Sequence, residues 1–375
     1  MLRDLGPFSD WVDAARRLQP RPTAPPGEET RGRLRQVLGF TGGAEQPEEV
    51  SEGPAWERGG VAGQELAWSV GYGPRTRAVV LRPAGVTGRL PGILALHDHS
   101  GFKFLGLEKV ADIPGAPDYL RSHRDSYYGG RAYANDLARA GFTVLVHDTF
   151  AWGSRRFPLE AMPAPIRRLA DAAEPGDGLL PAEVAGYNAA AAAHELMIEK
   201  YCALLGTTFA GVVSHEDRVA ANYLLSRDDV DPARLGCIGL SGGGNRAALL
   251  LATHDQIAAA AIVALMSSYD GLLDHNVAGH TWMLFPHGWA RHGDWPDIAA
   301  SRAPLPLLVQ YARGDELFTA EGMAAADERL RSHYAGAGDS DAYIAQWYDG
   351  PHRFDVAMQA AAFAWLRDRL APPVP

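Results

Sequence analysis

The sequence predicts an α/β fold, with a mostly parallel central sheet flanked by helices and an N-terminal helical extension in front of it. Three observations carry this. Short apolar runs alternate with longer helical stretches from about residue 65 to residue 370, the order that builds parallel strands joined by crossover helices. One run, LPGILAL at 90–96, is apolar without interruption and suits a strand buried on both faces. Two leading strands are instead joined by a tight turn at Gly73-Pro74, which puts an antiparallel edge at the front of the sheet.

Taken in order, residues 1–50 form the extension: a helix over 8–18, a Pro-rich break at 20–26 and a short helix over 30–38. Such an amphipathic segment packs on the main domain, or serves as an arm that helps a dimer form or covers the site. The main domain takes 51–375. Its leading strands fall at 65–72 and 77–81, followed by the strand 90–96, the helix 130–139 and the strand 142–146. Helical stretches follow at 182–205 and 214–225, then strand 234–240, helix 243–253 and strand 257–264. Strand 306–311, helix 320–333, strand 342–348 and a closing helix at 355–370 complete the chain. In such sheets active sites gather beyond the carboxyl ends of the strands, so the residues after each strand carry the most information.

Composition narrows the partners. A chain of 375 residues, 47% hydrophobic and 21% charged, can bury a full core without disulfides or structural metal. A formal charge of -10 with no basic block argues against nucleic acid. Charges interrupt the N-terminal MLRDLGPFSDWVDAARR, so it does not read as a signal peptide, and no apolar run approaches the roughly 20 residues of a membrane span. The only cysteines, Cys202 and Cys237, cannot build a disulfide framework; a reducing compartment, the cytoplasm by default, is the expectation.

After the strand at 234–240 the chain reads Gly239-Leu240-Ser241-Gly242-Gly243-Gly244 and enters a helix. This is G-x-S-x-G in its required setting of strand, sharp turn and helix. The serine sits in a strained conformation, and Gly239 and Gly243 leave strand and helix room to approach. Ser241 thereby caps a helix N-terminus, whose dipole and free amides favour negative charge, with the Gly242 amide aimed at a developing oxyanion. A phosphate-binding loop is the rival, but no Walker lysine follows and the dinucleotide glycine spacing is absent.

A serine nucleophile needs a base, and the base an orienting carboxylate. Asp315 follows the strand at 306–311 in Ala312-Arg313-Gly314-Asp315, with Glu316 as its rival. His352 follows the strand at 342–348 in the turn before the last helix. The order serine, acid, histidine is the one this kind of sheet requires. The strand 90–96 ends in His97-Asp98-His99-Ser100-Gly101, and the loop there supplies a second oxyanion amide, His99 first and Asp98 next. A metal site is the alternative for His97-x-His99, with His275, His280, His287 and His292 as further donors.

These pieces, with the stretches LALHDHSGFKF, YYGGRAYANDLARAGFTVLVHDTFAWGSRR, IGLSGGGNRA, YARGDELF and YDGPHRFD, resemble the α/β-hydrolase superfamily, in particular its dienelactone hydrolase and acetyl xylan esterase-like branch. The resemblance covers about residues 64–370. It implies an α/β-hydrolase fold, Ser241, Asp315 and His352 as a catalytic triad, and His99 and Gly242 as oxyanion donors. Dienelactone hydrolase itself uses a cysteine nucleophile, so Ser241 makes this chain more esterase-like.

The expectation is therefore a serine hydrolase that cleaves a small-molecule carboxylic ester through an acyl-enzyme, with no cofactor, no metal and no membrane. Acyl transfer or lactone opening on the same triad is one alternative, and a non-catalytic binding protein of the same fold is another. Two long connections, 149–181 and 267–304, are expected at the pocket mouth. From them Trp152 and Trp289 are candidate substrate-binding residues, and Arg155 and Arg156 candidates for a substrate carboxylate. His123, Arg124, Tyr127 and Tyr128 either line the pocket or cap a helix. Homo-oligomerisation is left open.

Overall fold

The computed structural model describes residues 1–40, 45–173 and 180–372. Helices α1 (Ser9–Leu18) and α2 (Glu28–Leu38) lead into strands β1 (Glu48–Arg58), β2 (Val61–Ser69), β3 (Thr76–Pro83) and β4 (Leu90–Leu96). Helices α3 (Leu120–Tyr128) and α4 (Tyr133–Arg139), strand β5 (Thr143–His147), and helices α5 (Ala164–Ala172), α6 (Ala182–Leu204) and α7 (Phe209–Leu225) follow. Then come β6 (Val230–Leu240), α8 (Gly242–Thr253), β7 (Ile257–Val263), α9 (Trp295–Ala300), β8 (Leu307–Ala312), α10 (Ala320–Gly336), β9 (Tyr343–Tyr348) and α11 (Val356–Arg369).

The strands form one sheet in the order β1-β2-β3-β5-β4-β6-β7-β8-β9. The first three pair antiparallel, β3 meets β5 antiparallel, and every later pairing is parallel. One face of the sheet is covered by α7, α8, α9 and α10 and the other by α4 and α11, each cover closing a separate apolar cluster. Strand β7, IAAAAIV, shows why: small side chains between two bulky ends let helices lie close on both faces.

The expected antiparallel front is present but one strand longer. β1 is exposed along nearly its whole length and carries Glu48, Glu49, Glu52, Glu57 and Pro54. It has no apolar alternation to announce it, and its charges and proline discourage further edge pairing. The sheet's first strand thus starts at Glu48, three residues inside the segment read as the extension. Within the extension, Leu34 and Leu38 of α2 are fully buried in the main core, and Arg31 donates to the Ala252 carbonyl at 2.9 Å. α2 is packed, not a loose arm. Among the described residues no single helix is long and apolar enough to cross a membrane.

Candidate active site

The turn between β6 and α8 holds Ser241 at φ 56° and ψ −121°, a left-handed conformation rare for a side-chain-bearing residue. Its N–H donates to the Val263 carbonyl at 2.9 Å, and its carbonyl accepts from Asn245 N–H to start α8. The flanking glycines are steric requirements. A Cβ at Gly239 would lie 2.4 Å from Gly243 carbon, and one at Gly243 would lie 2.2 Å from the Leu96 carbonyl oxygen.

Beyond β8 and β9, the His352 Nδ1 and Asp315 Oδ2 atoms lie 2.6 Å apart. The other Asp315 oxygen accepts from Leu317 N–H at 2.9 Å, which fixes the carboxylate's plane, and Asp315 is buried. The rival Glu316 contributes only its backbone carbonyl, which accepts from Asn276. Ser241 and His352 line one cavity of about 260 Å³, together with His99, Gly242, Tyr127, His280, Thr281 and four leucines. Among the described residues no hydrogen bond links the Ser241 hydroxyl to His352; such bonds often tighten only in the substrate complex.

Opposite Ser241, the Gly242 α-carbon faces the His99 backbone so closely that a Cβ there would lie 2.7 Å from His99 nitrogen. Residues 99 and 242 therefore border the same small space. Asp98, the second choice for the oxyanion amide, also borders the cavity, and its side chain is held by neighbours. Burial works against its carboxylate, but Lys109 and His123 hold it well below the usual range, and Tyr128 donates to it as well.

The His99 ring is anchored too. Its Nδ1 accepts from Gly101 N–H at 3.0 Å, and its Nε2 lies 3.5 Å from the Glu195 carboxylate. Burial pushes this imidazole below its ordinary value, with Glu195 pulling the other way. His97 is buried with Nδ1 3.1 Å from the Asp98 carbonyl, and burial beside Arg246 and Lys109 keeps it neutral. Among the described residues no three His, Cys, Asp or Glu side chains converge as ligands. The second histidine group is scattered: His275 lies against Asp274, His287 against Glu199, His292 beside Trp289, and His280 in the cavity. The metal alternative thus finds no donor set here.

Glu195, on α6, is a buried carboxylate beside the site that the sequence did not disclose. It is buried, accepts from Lys103 Nζ, from Thr281 Oγ1 at 2.6 Å and from Trp282 N–H at 2.8 Å. Burial opposes its charge, but Lys103, with help from His99, holds the carboxyl well below the usual range. One carboxylate thus ties the loop after β4 to the segment 281–282 on the other side of the cavity. Asp148 makes a similar tie: it accepts from Leu107 and Ser154 N–H, both at 2.8 Å, and burial with Glu108 nearby pushes it up to about 6.

Four expectations about the surroundings are corrected. Trp152 is buried behind His99, 5.5 Å between ring centres, with the Lys103 ammonium 4.4 Å from its ring. Trp289 is wholly buried in the main core, donating Nε1–H to the Asp294 carbonyl at 2.9 Å. Neither lines the cavity, because each indole found a packing partner inside its own segment's contact with the body. Arg155 is buried in an ion pair with Glu216 at 2.6 Å and donates to the Tyr72 carbonyl. Arg156 stacks over Phe104 and donates to the Gly153 carbonyl. Neither guanidinium is available to a substrate carboxylate at the cavity. Of the group before α4, Tyr127 lines the cavity, while His123 and Tyr128 serve Asp98 and Arg124 donates to the carbonyls of residues 108, 109 and 111.

A strained serine between a parallel strand and a helix, with a histidine on the turn before the last helix, defines the α/β-hydrolase fold, and this chain has it. No family model matches the chain. Over 273 residues it is 28% identical to YtaP of Bacillus subtilis (strain 168), whose name calls it a hydrolase; the match covers 71% of this chain and 74% of that protein. A glucuronoyl esterase from Solibacter usitatus superposes with a TM-score of 0.61 at 15% identity, over 90% of this chain and 92% of its own. Acetyl xylan esterase 1 from Thermoanaerobacterium sp. JW/SL YS485 superposes with a TM-score of 0.55 at 14% identity, over 95% and 98%.

Proposed function

We infer that this protein is a serine hydrolase that cleaves a carboxylic ester through an acyl-enzyme intermediate. The observation that carries this reading is that Ser241, His99, Gly242 and His352 line one cavity, with Asp315 holding His352 from behind. His352 takes the proton as Ser241 attacks the ester carbonyl, and Asp315 holds the imidazole's other nitrogen. The two amides receive the oxyanion, a contribution of about 3 kcal/mol for one donor in comparable sites. His352 then protonates the leaving alcohol and activates the water that releases the acid.

The esterases with which the chain shares its fold support an ester rather than an amide substrate. The cavity, near 260 Å³ and walled by Leu240, Leu265, Leu284 and Leu317, suits a short acyl group, since drug-sized ligands occupy about 300–1,000 Å³. Purified protein should hydrolyse short-chain aryl esters and lose several orders of magnitude in rate on Ser241→Ala, with a fluorophosphonate probe labelling only the parent. Comparable turnover by the variant, or labelling at another residue, would overturn the assignment.

A further inference from the structure

Most polar side chains on the wall of the Ser241 cavity are already spent on the fold. Asp98 accepts from Ser100, Tyr128 and Lys109, and His99 accepts from Gly101 N–H and faces Glu195. Thr281 donates to Glu195 and accepts from Met283 N–H. Ser241 and His352 belong to the reaction itself. Tyr127 and His280 remain. Burial and the charge of Asp98 raise the Tyr127 phenol, so it stays protonated, and a phenol both donates and accepts. It imposes no choice on a substrate.

His280 does. Its Nε2 lies 3.0 Å from the Leu317 carbonyl oxygen, which can only accept, so Nε2 carries the proton of the neutral ring. Burial, with His352 nearby, pushes this imidazole down to about 4, against the pull of the Leu317 carbonyl. The ring packs on Phe318, 4.8 Å between ring centres, and turning it over would set a C–H against that carbonyl. Nδ1 therefore holds a bare lone pair. It makes no hydrogen bond among the described residues and is not sealed off by packing. Since His280 is part of the cavity wall, that lone pair is offered to whatever enters.

We infer that His280 Nδ1 accepts a hydrogen bond from a hydroxyl that the substrate carries beside its scissile ester. This rests on the serine-esterase reading above and narrows its substrate class to hydroxy-substituted esters. The hydroxyl sits on the acyl carbon next to the carbonyl or on the alcohol carbon next to the one bonded to the ester oxygen. In a cavity of about 260 Å³ either position is close to the wall. A plain ester would displace water from Nδ1 and leave the lone pair facing apolar surface. A site built to pair with a substrate hydroxyl rejects the analogue that lacks it.

Two matched pairs of esters test this: ethyl glycolate against ethyl methoxyacetate, and 2-hydroxyethyl acetate against 2-methoxyethyl acetate. Within each pair the inductive effect is similar and the hydrogen-bond donor is removed. The parent should prefer the hydroxyl member of one pair by about tenfold in kcat/KM, the weight of one ordinary hydrogen bond. The pair that shows the preference tells whether the hydroxyl belongs to the acid or the alcohol. His280→Gln keeps an amide that can donate to the Leu317 carbonyl but has no counterpart of Nδ1, and should bring that ratio to about one. No preference in either pair, or a preference that His280→Gln retains, would overturn the inference and leave the esterase reading standing. Failure to hydrolyse any of the four would overturn it as well, and absence of fluorophosphonate labelling at Ser241 would then remove the esterase reading with it.

Discussion

Gly242 combines two demands in one residue: it begins α8 directly after the strained Ser241, and it lies against the backbone of His99. A methyl group there would sit 2.7 Å from His99 nitrogen and 2.8 Å from its Cβ, so the loop after β4 would have to retreat. Gly242→Ala should therefore spread the two amides while leaving Ser241, Asp315 and His352 in place. Ester turnover should fall by about 10²–10³, mostly in kcat, as for loss of one oxyanion donor. Steady-state kinetics on a short-chain ester measures it, and a kcat near the parent's would show that these amides do not hold the oxyanion. Much of this constellation was legible in the sequence, because Ser241, Asp315 and His352 each occupy a turn fixed by chain order and strand ends. Trp152 and Trp289 were not, because whether an indole faces solvent or core depends on what packs against it from afar. Glu195 gave no signal either: a glutamate on a helix is usually solvated, and its partners Lys103 and Thr281 are remote in sequence.

The elements that matter most to the cavity are held by helix α6 through that one carboxylate. Glu195→Gln would leave the Lys103 ammonium buried between Trp152 and Phe209 without its counter-charge. Breaking such a pair costs about 3–5 kcal/mol, whereas removing both charges is often close to neutral. Urea denaturation should thus show a large loss of stability for Glu195→Gln and recovery of most of it in Glu195→Gln with Lys103→Met. A single-variant loss under about 1 kcal/mol, the size of a surface pair, would mean that the tie does not hold the loop. At this scale the sequence disclosed the parallel strands well, since burial on both faces leaves an apolar run such as 90–96. It did not disclose β1, whose residues are almost all exposed and four of them glutamate, nor α3 and α5, short helices inside long connections. β1 has no apolar period of its own to announce it, and α3 and α5 are nine residues each, too short for their periodicity to stand out within a long connection.

Across the whole molecule, burial sets a window of acid sensitivity. Burial, with Arg218 beside both, pushes His215 and His254 down to about 4. Each is neutral in the folded protein over a range where the unfolded chain, with an ordinary value of 6.5, already binds a proton. Their full stabilisation is present above pH 6.5 and is lost progressively as the pH falls towards 4. Asp148, pushed up to about 6, works in the opposite direction, because its folded carboxyl takes a proton before the unfolded one does. His215 offers the cleanest test. Its Nε2 has no hydrogen-bond partner among the described residues, its ring packs on Phe40 and Tyr72, and it borders a cavity of about 320 Å³ with room for a larger ring. His215→Phe keeps the aromatic packing and removes the titration. Between pH 7 and pH 5 the parent should lose about 2 kcal/mol more stability than this variant, since one pKa unit is worth about 1.4 kcal/mol. Urea denaturation of both proteins at the two pH values measures the difference, and parallel losses would mean that His215 titrates alike in the folded and unfolded chain.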